Sequence, residues 1–95
     1  MKLNFNFLCK NPDGSISIGE RGKNINIGEI LSTYLLHGNF KEGDALSKFA
    51  LAGKVKSEFD ANDAEYDLIK KMLDSKLLPP IFEANIRIYL NSLKD

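Results

Sequence analysis

The period of the apolar residues changes once along this chain. Between Leu3 and Ile27 they recur mostly at alternate positions, and beyond that they recur three and four apart. A pleated strand turns every second side chain to one face, whereas an α-helix turns every third or fourth, so strands come first and helices follow. The fold class expected is α+β, an N-terminal β-hairpin packed on three to four α-helices. At 95 residues and 10.6 kDa the chain has material for one core. A single domain is therefore expected, with a hairpin region at 1–27 and a helical region at 28–95.

Leu3, Phe5, Phe7 and Cys9 alternate with Asn4 and Asn6, which predicts a half-buried strand with the asparagines outward. Asn11-Pro12-Asp13-Gly14 supplies proline, aspartate and glycine in the order of a bulged hairpin turn. Ser15-Ile16-Ser17-Ile18 returns, with Ile16 and Ile18 expected on the face of Phe5 and Phe7. Gly19 to Lys23 reads as a polar second turn. Asn24 to Ile27 reads either as a short third strand or as an extended lead into the first helix, the second being preferred.

Asn26 and Glu29 have capping-box spacing ahead of Ile30, Leu31, Tyr34 and Leu35, and Gly38 stops this first helix. After a polar connection from Asn39 to Gly43, Asp44 opens a second helix with Leu46, Phe49, Ala50 and Gly53 as its expected inward stripe, ending at Val55 and Lys56. Asn62 and Glu65 repeat the capping box for a third, whose face is Tyr66, Ile69, Leu73 and Leu77. Pro79-Pro80 is expected to end it. Pro80 then occupies the first position of a final helix bearing Phe82, Ile86, Tyr89, Leu90 and Leu93. The two capping boxes invite a helical-repeat reading, but the sequence between them does not recur.

The inventory of reactive side chains is short. One cysteine permits no internal disulfide, and one cysteine with one histidine is half the usual ligand set of a structural zinc site. Cys9 continues an inward alternation and is expected in the core; His37, beside Gly38, is expected at a helix terminus. The N-terminal apolar run is interrupted by Asn4 and Asn6, unlike a signal peptide, and no run nears the ~20 apolar residues of a membrane span. A soluble, cytoplasmic, non-enzymatic protein without cofactor or metal is expected.

Asp60, Asn62, Asp63, Glu65 and Asp67 invite a calcium-loop reading, but the glycine and terminal glutamate positions of such a loop hold Glu65 and Lys71. Acids gathered at a helix N-terminus offset its positive dipole end. Gly19, Gly22 and Gly28 lack the spacing of a phosphate-binding loop and read as turn residues. Thirteen basic and thirteen acidic residues cancel, but not evenly: residues 1–38 hold four bases and three acids, residues 39–58 four and three, and residues 59–95 five and seven. Recognition is therefore expected to be local and shape-based, with Asp60, Asp63, Glu65 and Asp67 forming an acidic shoulder. Lysines at 41, 48, 54, 56, 70, 71 and 76 raise a nucleic-acid reading; with two arginines and no basic stripe it ranks below protein recognition.

Taken in order, Asn4-Phe5-Asn6-Phe7, the Asp13-Gly14 turn, Asn26-Ile27-Gly28-Glu29-Ile30-Leu31, Gly43-Asp44-Ala45-Leu46-Ser47-Lys48-Phe49, Ala52-Gly53-Lys54-Val55 and the third helix make a recurring layout. It resembles that of small uncharacterised proteins of bacteriophages and prophages, departing from it at Leu78-Pro79-Pro80-Ile81. The resemblance implies an accessory factor that binds and inhibits or redirects a host protein in the bacterial cytoplasm. An alternative is a structural or assembly component of a phage particle. The candidate partner-binding residues are Asn4 and Asn6, flanking a strand edge open to a partner sheet, and the acids Asp60, Asp63, Glu65 and Asp67. A homodimer through the hairpin edge or the Phe82–Leu93 helix is also expected.

Overall fold

A computed structural model describes residues 1–19, 22–38 and 40–93. Glu20 and Arg21 of the expected second turn, and Asn39 at the start of the expected connection, lie outside the described residues. The fold is α+β, an N-terminal antiparallel hairpin packed against four helices. In chain order the elements are β1 (Lys2–Leu3), α1 (Ile27–His37), α2 (Ala45–Lys54), β2 (Phe59–Asp60), α3 (Asp63–Asp74) and α4 (Pro80–Ser92).

The stretch expected as one strand is divided. β1 pairs antiparallel with β2, Lys2 opposite Asp60 and Leu3 opposite Phe59. The chain then bends, with the Phe7 N–H donating to the Phe5 carbonyl at 2.8 Å. Residues 7–11 pair with 25–27 at one end (Cys9 N–H to Ile25 O, 2.7 Å; Ile27 N–H to Phe7 O, 2.9 Å) and with 15–17 at the other (Ser17 N–H to Cys9 O, 2.9 Å). The lead into α1 is thus bonded to the hairpin, through bridges at Leu8–Asn26 and Ile18–Asn24. Alternation holds across the bend: Leu3, Phe5 and Cys9 are buried, Asn4 and Asn6 exposed.

Register overturns the expectation for Ile16 and Ile18. The turn closes with Lys10 opposite Ile16, which sets Ser17 opposite Cys9. Opposed residues share a face. Ser17 therefore goes inward beside buried Cys9, while Ile16 and Ile18 stand 38% and 64% exposed. Burial pushes the Cys9 thiol upward, opposed by its hydrogen bond with Ser17.

The caps form where expected. Asn26, Asp44 and Asn62 accept from the backbone N–H groups of Glu29, Ser47 and Glu65, and at Asn62 the Glu65 carboxylate completes the box. Pro80 is the first residue of α4. Two helix expectations are corrected. α3 ends at Asp74, ahead of the prolines, because Lys76 takes a left-handed backbone (φ 61°). In α2 the expected inward stripe faces solvent: Leu46 is 82% and Phe49 70% exposed, and Ala50 and Gly53 are exposed too. Leu51, Ala52 and Val55, half a turn round, are buried instead. α1 is the hub, contacting both α2 and α4. Its Leu31 and Leu35 join Leu3, Phe5, Leu51, Ile69, Leu73 and Ile86 in one buried cluster.

Candidate functional site

A large concavity lies between the N-terminal arm, residues 4–14, and α4. Proline at 79 and 80 starts α4 abruptly, and Ile86 and Leu90 turn into the core. Helical spacing then places Ile81, Ala84 and Ile88 on the opposite face. That second stripe forms one wall of a groove, and Phe7, Leu8 and Pro12 form the other. Its volume is about 1160 Å³. Ile88 is 70% exposed within it.

Polar contacts pin the arm to the helix along this groove. The Asn85 carboxamide takes both backbone groups of Lys10: its Oδ1 accepts from the Lys10 N–H at 2.8 Å, and its Nδ2 donates to the Lys10 carbonyl at 3.0 Å. The Asn4 N–H donates to the Tyr89 hydroxyl at 2.7 Å, while the Tyr89 ring packs edge-on to Phe5 and tilted against Phe7, at centroid distances of 5.3 and 5.2 Å. Asn6 donates its N–H to Asn4 Oδ1 and accepts from Asn26 Nδ2. Among the described residues no buried side-chain nitrogen or oxygen lacks a partner.

Asn4 and Asn6 therefore line the groove, but the open strand edge expected beside them is not available as drawn. The backbone N–H groups of Asn4, Asn6, Phe7, Cys9, Lys10 and Asn11 all donate within the chain. Strand addition needs a row of free donors and acceptors. Here Asn85 stands where a neighbouring strand would.

The expected acidic shoulder is a separate place, and none of its residues lines the groove. Asp60 accepts from the Met1 nitrogen at 3.0 Å, Glu65 pairs with Lys54 at 2.8 Å and Asp67 with Lys71 at 3.2 Å; Asp63 lies exposed in the first turn of α3. The Lys54 hydrogen bond holds the Glu65 carboxyl below its ordinary range against the opposing effect of burial, helped by the Asn62 N–H. Among the described residues no three His, Cys, Asp or Glu side chains are grouped to hold a metal. His37 is exposed in the last turn of α1.

No family model, curated protein or solved structure matches this chain.

A second, small pocket of about 90 Å³ lies between α3 and α4, lined by Tyr66, Lys70 and Arg87 among others. Arg87 is committed there to Asp74 at 3.0 Å and Glu83 at 2.9 Å. Hydrogen bonds from Arg87 and then Lys76 hold the Glu83 carboxyl low. This is an ion-pair network tying the end of α3 to α4. The groove residues missed from sequence are Asn85, Ile81, Ala84 and Ile88. Their signal was a second stripe in the last helix, spaced i, i+3, i+4, i+7 beside the one that enters the core.

Proposed function

We propose that this chain is a non-enzymatic protein–protein interaction module, an accessory factor of the kind its phage-like layout implies, with the arm–α4 groove as its binding surface. The observation that carries the reading is the groove itself: an apolar floor rimmed by asparagine amides, with the backbone beside it already bonded. A partner must then bring side chains rather than a strand, and the fitting ligand is the apolar stripe of an amphipathic helix. Among the described residues Lys10 is the one charged side chain lining the groove, which favours an acidic residue flanking that stripe. No described helix is long and apolar enough to cross a membrane.

The nucleic-acid reading draws less support, because Lys54, Lys71 and Lys76 are ion-paired within the chain and the Lys48 ammonium donates to the Phe40 carbonyl. The test begins with affinity capture from bacterial lysate and proceeds to titration of the purified partner. Ile88→Lys alters an exposed side chain, so the fold survives, and it should weaken binding at least about thirtyfold by placing an ammonium in the apolar groove. A partner that binds Ile88→Lys and Ala84→Arg as tightly as the unaltered protein sinks the proposal.

A further inference from the structure

α2 is apolar on two opposite sides, and the chain uses one. At about 100° per residue, Leu46, Phe49, Ala50 and Gly53 centre roughly half a turn from Leu51, Ala52 and Val55, which pack inward. The outer stripe has the spacing of a buried helix face, yet Leu46 and Phe49 are the two most exposed large apolar residues of the helices, with Ile88 matching Phe49. Gly53 adds an independent observation. It is helical rather than left-handed, and a Cβ built there meets nothing within 4 Å. Glycine is the poorest helix former after proline, and no contact within the chain requires it at this position.

We propose that this face is the interface of a homodimer, with α2 packed antiparallel on α2 of a second copy about a two-fold axis between Phe49 and Ala50. That axis exchanges position 46 with position 53. Leu46 of each copy then sits over Gly53 of the other, large on small, about 10 Å apart along the helix. Phe49 lies against the partner's Ala50. Charge agrees with this sense of packing. Residues 41–44 carry one lysine and two acids; at the other end Lys54 is paired with Glu65 and Glu58 with Lys2, which leaves Lys56, so each end of the helix still meets its opposite. The two helix dipoles are also antiparallel. No other partner is needed to explain why large and small residues are distributed in this order.

Sedimentation velocity from about 10 to about 500 µM reads the association, since a contact this small gives a weak dimer. The sedimenting mass should rise from 10.6 kDa towards twice that value. Phe49→Lys should remain monomeric with an unchanged circular dichroism spectrum. Gly53→Leu should weaken the dimer at least about tenfold, and Leu46→Ala added to Gly53→Leu should recover most of the loss by exchanging the large and small positions. Ile88→Lys, in the groove, should leave the dimer intact, which separates this interface from the one proposed above. A wild-type protein that stays monomeric throughout overturns the inference. So does a dimer that survives Phe49→Lys, or one that Ile88→Lys dissolves.

Discussion

Gly28 is the residue at which three parts of the chain converge. A Cβ there would lie 2.5 Å from the Val55 carbonyl oxygen and 3.2 Å from that of Phe5, both backbone atoms that cannot swing aside. Gly28→Ala should therefore cost about 1–3 kcal/mol, as overpacking does elsewhere, even though alanine is the better helix former. Urea unfolding measures it; equal or greater stability would mean that α1 can shift away from Val55 freely. In the sequence Gly28 read as a turn residue, whereas it is the second residue of α1 and buried; the close approach of Val55 and Phe5 that requires glycine there is tertiary and leaves no local signal. The same limit applies to Asn85. An asparagine inside a helix reads as a solvated residue, and nothing local announces that its carboxamide holds the backbone of Lys10, 75 positions earlier. Asn4 and Asn6, by contrast, were legible as outward-facing because alternation is a property of the strand itself.

Helix starts were the most legible features, since an N-cap is decided within four residues. Asn62 shows this best, accepting from the Glu65 N–H at 2.8 Å while the Glu65 carboxylate accepts from the Asn62 N–H at 3.1 Å. Asn62→Ala should lower stability by about 1 kcal/mol, and Asn62→Gly by only a few tenths. Chemical denaturation of the pair tests this, and indistinguishable midpoints for wild type and Asn62→Ala would contradict it. The side that faces the core was legible in α3 and α4, where Ile69, Leu73, Ile86 and Leu90 are buried as their spacing predicts, but not in α2. α2 bears two apolar stripes of helical period, and periodicity alone cannot rank them. The burial of Leu51 over Leu46 is decided by where α1 lies, and that is tertiary information. The hairpin register has the same origin: a turn closed at Lys10 and Ile16 rather than one residue away inverts the inward set.

At the scale of the whole molecule, ion pairs tie together at the surface helices that already share one buried core. Glu65 joins α3 to Lys54 of α2, and Glu83 gathers Lys76 and Arg87, which reaches Asp74. Both carboxyls are held below their ordinary values, chiefly by the hydrogen bond from Lys54 in one case and from Arg87 in the other. A carboxylate with a lowered folded pKa contributes stability above its unfolded value, and that contribution is lost as pH falls through the folded one. The melting temperature should accordingly decline as pH drops below about 4.3, the ordinary glutamate value. Thermal scans of a Glu65→Gln, Glu83→Gln variant should show a shallower decline; a parallel one would assign the acid sensitivity to other groups. The pairing of β1 with β2 bears on a different matter, the order in which the parts are made. Leu3 waits for Phe59, the backbone of Lys10 waits for Asn85, and that of Asn4 waits for Tyr89. During synthesis the hairpin finds its local partners early, but the backbone of Asn4 and Lys10 cannot make its bonds to Tyr89 and Asn85 until α4 has been translated. Folding of the arm is completed after translation of α4, and a chain interrupted before residue 85 would leave Phe5 and Phe7 uncovered for quality-control machinery to recognise.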